Sequence, residues 1–314
     1  MTEAGDDHRQ ARIGLVQICL AGVLWGTGGL GVQVIREHAQ MSVLTISAWR
    51  MLIAATVLVA AVVLLRQAPA VLTLARTRPL RAAVVGGGTA SYQALYFGAV
   101  VATGVTVATV VSLGLAPVLL TVAESIRRRR RPSRTRLLVL AAALGGLVLV
   151  SATSGSGNTG PHPMLGVLLA AGSGTAYAVA TEIGRPLAQV AGPVALTTTT
   201  TTVGAVVLVP FGILATGGDD VLLTVDPVVV LTLLYLGVFT MALAYGLFYV
   251  GLRTTTGSSA VIATLLEPVT ATVVAALFLD ERLGALGVVG TLLILAAVAG
   301  LGREEEPAAV PPPA

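Results

Sequence analysis

Residues Ser258 to Arg282 read SSAVIATLLEPVTATVVAALFLDER. The run is long and apolar enough to cross a bilayer, yet Glu267 and Pro268 stand side by side at its centre. Proline removes a backbone donor and frees the carbonyl four residues earlier, that of Thr264. A charged side chain at mid-depth costs about 2.5–3.5 kcal/mol on insertion scales. A helix bearing both must face protein or water rather than lipid. Its carboxyl group is either a hydrogen-bonded kink residue or part of a substrate or proton site.

The composition places the rest of the chain in the same setting. It is 55% hydrophobic and 11% charged, far from the quarter-charged make-up of soluble domains. A polytopic, all-α integral membrane protein is implied. Its basic residues are all arginine, and such a balance reports loop orientation rather than nucleic-acid binding. The one cysteine, Cys19, excludes an internal disulfide framework, and His8, His38 and His162 fall in tails or loops, so no metal site is expected. No phosphate-binding glycine loop is present, so direct use of ATP by this chain is not expected. An integral-membrane enzyme or scaffold acting on lipid-linked substrates is the alternative, but no Ser/His/Asp or His/Asp constellation supports an enzyme.

Apolar runs predict ten membrane helices. They cover Ile13–Ile35, Val43–Leu65, Ala82–Ala102, Val105–Ile126, Leu137–Ala152, Met164–Ile183, Val194–Leu214, Val228–Gly251, Ser258–Leu279 and Leu283–Leu301. Arg66, Arg76, Arg78 and Arg81 lie between helices 2 and 3, and Arg127–Arg131, Arg134 and Arg136 between helices 4 and 5. The positive-inside bias makes both loops, and hence both termini, cytoplasmic.

Sliding the chain along itself by 152 residues carries Trp25 onto Tyr177 and Gly14 onto Gly166, and lays ALYFGAVVATGVTVA from Ala94 over GLFYVGLRTTTGSSA from Gly246. With a one-residue slip, Pro117 matches Pro268. Two five-helix repeats follow, and an odd number of helices per repeat inverts the second copy in the membrane. Inverted repeats are a transporter architecture, with solute bound near the midplane where the repeats meet.

Within the spans, Trp25, Tyr92, Tyr96, Tyr177 and Tyr245, together with Glu267, are the candidate substrate-binding residues; Glu267 is also the candidate proton-coupling group, and Pro117 and Pro268 are candidate helix breaks. Tyr92 with Tyr96, and Tyr245 with Tyr249, share helix faces at i, i+4 on the repeat-related helices 3 and 8. They either line one cavity or pack with their hydroxyls bonded to backbone. Arg50 is expected to anchor helix 2, by snorkelling or by pairing with carbonyls, ahead of any binding role. Glu124 and Glu182 are read as local ion pairs with Arg127 and Arg185, and Thr197–Thr202 as hydroxyls bonded one turn back.

Trp25-Gly26 in LAGVLWGTGG, Arg50 in SAWRMLIAAT, the segments LAPVLL and LEPVTA, and LFLDERL closing helix 9 resemble EamA-type members of the drug/metabolite transporter superfamily. The first repeat departs from that pattern, ending its helix 4 in SIRRRR. The resemblance covers Ile13 to Leu301 and implies a 5+5 inverted-repeat carrier of a bacterial inner membrane, exporting amino acids, other metabolites or drug-like solutes without a cofactor. The expected organisation is a cytoplasmic tail over residues 1–12, a first repeat over 13–152, an external linker over 153–163, a second repeat over 164–301, and a disordered cytoplasmic tail over 302–314. Its partners are a small-molecule substrate, the lipid bilayer and, as a candidate coupling ion, the proton.

Overall fold

The computed structural model describes residues 3–154, 160–217, 220–278 and 284–304. Asp219, the acidic ending around Asp280 and Glu281, and most of the proline-rich tail lie outside the described residues. All regular structure among those described is helical. The first repeat comprises α1 (Glu3–Gly26), α2 (Gly28–His38), α3 (Val43–Leu64), α4 (Ala68–Thr77), α5 (Pro79–Thr103), α6 (Val105–Arg128) and α7 (Arg134–Ser154). The second comprises α8 (Pro163–Val190), α9 (Pro193–Leu214), α10 (Pro227–Tyr235), a π-helical segment (Leu236–Leu243), α11 (Ala244–Leu252), α12 (Gly257–Ala263), α13 (Leu266–Phe278) and α14 (Ala285–Glu304).

These elements make ten spans, because α1 with α2, α10 with the π segment and α11, and α12 with α13 each form one broken rod. Among the described residues, nine of the spans are long and apolar enough to cross a membrane. The tenth, α5, is 25 residues long but carries Gly86–Gly88, Ser91, Tyr92, Gln93 and Tyr96. Its polar face is tolerated because α5 packs on α8 and α9 instead of presenting that face to lipid.

The repeat is visible in the packing. Helix α5 packs on α8 as α11 packs on α1, and α6 on α8 as α12 and α13 on α1; α3 meets α9 and α7 meets α14 across the relating axis. The register survives at individual glycines. A Cβ on Gly22 would come 3.2 Å from the Thr264 carbonyl oxygen, and one on Gly174 2.6 Å from that of Ser112. Adding 152 carries Gly22 to Gly174 and Ser112 to Thr264. Only a residue without a side chain lets the paired backbones approach this closely.

Three departures from the expected spans have physical causes. The first helix begins at Glu3, not Ile13, because helical hydrogen bonding continues into the polar segment that hydropathy discards; the Thr254 hydroxyl donates to the Gln10 carbonyl at 3.2 Å. The arginine-rich link after α3 contains the short α4, whose Leu74 is buried against the core while Leu72 and the flanking arginines are exposed. Pro117 does not break its helix: α6 runs through it unbroken. Thr197 to Thr200 each donate to the carbonyl four residues back at 2.7–2.9 Å, as their spacing in the sequence predicts, whereas Thr202, expected to do the same, has its hydroxyl buried without a hydrogen-bond partner.

Candidate functional site

Three helix interruptions converge at the centre. In the first span the rod breaks at Thr27, whose hydroxyl donates to the Leu24 carbonyl at 2.7 Å and meets the Tyr235 hydroxyl at 2.7 Å. In the eighth, the wide π turn Leu236–Leu243 shifts the hydrogen-bond register, a device common at functional positions. The ninth turns at Thr264–Leu265 between α12 and α13. The Thr264 carbonyl, which Pro268 deprives of its usual donor, is not left free, since the Glu267 amide donates to it at 2.9 Å. The Thr264 side chain is tied to α8 by a 3.1 Å hydrogen bond with the Tyr177 hydroxyl.

These interruptions surround a cavity of about 240 Å³ whose walls include Trp25, Tyr92, Tyr96, Tyr177, Tyr245 and Glu267. All six residues singled out in the sequence therefore meet in one place. An adjoining lobe of about 450 Å³ shares Trp25, Gly29, Tyr92, Tyr96 and Glu267 and extends to Val105, Thr106, Val150, Ser151 and Ala275, at helix ends away from the arginine-rich loops. On the arginine-rich side the path is filled: every residue of α12 is buried, as are Phe248, Tyr249 and Leu252.

The aromatic rings form a continuous wall. Trp25 lies 5.0 Å from Tyr245 and 5.7 Å from Phe248, and Tyr92 lies 5.0 Å from Tyr177 and 6.3 Å from Tyr96. These are ordinary aromatic packing distances, so the wall is stable without a ligand and offers π faces to one. Tyr96 is held by a 2.9 Å hydrogen bond with the Thr109 hydroxyl. The expected backbone partners of these tyrosines are replaced, for Tyr96 and Tyr177, by threonine side chains. Tyr249 is buried behind Tyr245 and stays out of the cavity lining.

Arg50 is the residue whose place the sequence misjudged. Its side chain neither snorkels nor caps carbonyls. It turns into the cavity, where Nη2 donates to Thr240 Oγ1 at 3.1 Å and approaches Met241 Sδ at 3.6 Å, both on the π turn. Its Nε is buried without a hydrogen-bond partner, as is Nε2 of Gln93 on the same cavity wall. Among the described residues, Arg50 and Glu267 line the same space without forming an ion pair. Gly28 and Gly29 supply room; a Cβ at Gly29 would meet nothing within 4 Å.

A group of ionisable side chains at the arginine-rich end of the spans links the two repeats. Glu124 pairs with Arg128 at 2.8 Å, not with Arg127, and accepts a 2.6 Å hydrogen bond from Ser258. Arg127 reaches across to Glu182, Arg136 donates to Ser258 and, at 3.1 Å, to Ser259, and Arg185 donates to the Thr255 carbonyl at 2.8 Å. Among the described residues no group of three His, Cys, Asp or Glu side chains could hold a metal ion.

Known proteins align with this chain over most of its length. The sequence profile of the EamA-like transporter family matches residues 12–152 and 164–303, one match per repeat. A protein of Bacillus subtilis (strain 168) described as "Uncharacterized transporter YwfM" is 30% identical over 287 residues, covering 89% of this chain and 93% of that protein. A solved structure titled "Crystal structure of protein" superposes with a TM-score of 0.76 at 19% identity, covering 93% of this chain and 98% of that chain, and so shares the fold.

Proposed function

Because the chain belongs to the EamA-like transporter family, we propose that this multi-pass membrane protein is a secondary transporter that exports small metabolites, amino acids or related compounds foremost, by alternating access between its two repeats. The observation that carries this reading is the central cavity, placed where the repeats meet, lined by Glu267 and Arg50, sealed towards the arginine-rich loops and continuous with a lobe towards the opposite helix ends. The setting is a bacterial inner membrane with both termini in the cytoplasm, so that the arginine-rich loops lie inside and the cavity opens outward.

Glu267 is the coupling group in this reading. It takes up a proton in the outward-open state and releases it after the repeats rock, driving solute efflux with the proton gradient. The position matching it in the first repeat is Ala116, so the packing of the fold does not itself require a carboxylate there. Glu267→Gln keeps size and hydrogen bonding and removes titration. In proteoliposomes at saturating solute the variant, although it binds more weakly, still exchanges solute for solute and loses transport driven by an imposed pH gradient; gradient-driven transport at the wild-type rate would refute the coupling role.

A further inference from the structure

Resting on the transport reading, we propose that the cavity is a two-point receptor for a zwitterion, with Arg50 taking the solute's carboxylate and Glu267 its ammonium group. Two opposite charges line one small space from different helices, α3 and α13, without forming a direct ion pair. Only Nη2 of the Arg50 guanidinium is engaged, and by a hydroxyl and a thioether rather than an anion. A guanidinium offers five N–H donors in a planar fork that matches a carboxylate. Its Nε and the Nε2 of Gln93, on two residues that line the cavity, are buried donors with no acceptor in the protein. Neither oxygen of Glu267 accepts a hydrogen bond among the described residues, which leaves the whole carboxylate for a cationic donor.

Charge balance selects among solute classes. A monocation would satisfy Glu267 and leave Arg50 buried without an anion; a monoanion would do the reverse; a neutral sugar would satisfy neither, and an uncompensated buried charge is expensive. A solute bearing both charges a few ångströms apart satisfies both at once. The rest of it then lies against Trp25, Tyr92, Tyr96 and Tyr245, so an apolar or aromatic side chain fits the remaining wall. Since the ammonium group and a proton compete for the same carboxylate, solute and proton exclude each other at Glu267, which is the condition for exchanging one for the other.

The test uses the purified full chain and two deletion series. L-leucine is compared with 3-methylbutylamine and 4-methylpentanoate, and L-phenylalanine with 2-phenylethylamine and 3-phenylpropanoate, by ligand-induced thermal stabilisation and by exchange in proteoliposomes. At least one zwitterion stabilises the protein, and removing either charge weakens binding by about 10- to 100-fold, the worth of a charged hydrogen bond. Arg50→Gln abolishes the preference for the zwitterion over its amine, and Glu267→Gln the preference over its acid; Arg50→Lys retains the order of preference with weaker binding. The wild-type series decides the matter even where a variant does not fold. Single-charge analogues that bind as well as their parents, or no binding by either zwitterion, would overturn the proposal. Exchange of an amine or acid without zwitterion binding would leave the transport reading standing and this inference refuted. Zwitterion binding without exchange would do the opposite.

Discussion

Gly29 offers a way to fill the site without touching any group that makes it. It lies in the first turn of α2, beside Trp25 and Glu267 in both lobes of the cavity, and a Cβ there would meet nothing within 4 Å. Each added heavy atom takes at most about the ~30 Å³ that a water occupies in the liquid. Alanine then takes on the order of 30 Å³, valine about 90 Å³ and leucine about 120 Å³ of the space that the two lobes share beside Gly29. Folding is not harmed, since replacing glycine inside a helix gains up to ~1 kcal/mol of propensity. The expected result is a graded loss of exchange in proteoliposomes, slight for Gly29→Ala and nearly complete for Gly29→Leu, with a melting temperature unchanged or higher. Gly145→Leu is the control, because Gly145 also has nothing within 4 Å of its Cβ and lines neither lobe. Full activity of Gly29→Leu would show that solute does not pass this cavity, and equal loss in Gly145→Leu would reduce the effect to non-specific damage.

Two further outcomes follow from the same structure. Cysteines replacing Arg78 and Arg134 resist membrane-impermeant thiol reagents in intact cells, while one at the exposed His162 reacts; labelling of the first two would reverse the proposed orientation. Tyr177→Phe removes the hydrogen bond to Thr264 and costs ~1 kcal/mol, read in this chain of 314 residues as a melting temperature lower by about 1–2 °C; an unchanged melting temperature would mean that the tie does not hold the ninth span.

Much of this was legible because hydropathy and self-similarity are properties of the chain itself. Nine of the ten spans follow from apolar length among the described residues, and the shift that carries Trp25 onto Tyr177 reappears in space as the matched glycine contacts at Gly22 and Gly174. The six candidate residues meet because polar and aromatic side chains inside a membrane protein are driven off the lipid face to a common interior. What stayed hidden depends on tertiary contacts. The stretch LGVFTMAL has no proline to announce its π turn; the turn is matched to Arg50, which donates to Thr240, and to Ile53, against which Gly237 packs. A lone arginine in a span carries no sign of the direction its stem takes. The proline rule alone likewise failed to separate Pro117, carried inside α6, from Pro268, next to a real interruption, because the neighbouring Glu267 amide can serve the freed carbonyl.

The closure on the arginine-rich side and the cavity are joined by rigid pieces of chain. Ser258, which bonds Glu124, begins α12, and α12 is buried along its whole length and leads through the Thr264 turn to Glu267. Helix α8 carries Glu182, the partner of Arg127, within two turns of Tyr177, which lines the cavity and holds Thr264. Each second-repeat member of the closure thus shares a helix or a short buried link with a member of the site. Packed interiors do not deform continuously, so a displacement of α12 or the end of α8 is transmitted between the two places as a unit. Exposed ion pairs are individually worth about 0.2–1 kcal/mol, and Arg127 with Glu182 is of that kind. The Glu124, Ser258 and Arg136 cluster is more enclosed and, under the proposed alternating access, is the part that an opening on the arginine-rich side has to disrupt. In the slipped register that aligns Pro117 with Pro268, the position matching Glu124 in the second repeat is Ala275, and at the shift of 152 that matching Ser258 in the first is Thr106. Neither can ionise, so the mirror image of this closure cannot be built from the same chemistry. The two repeats share a framework, but Glu267 in the cavity and Glu124 at the arginine-rich end each occur on one side of the symmetry.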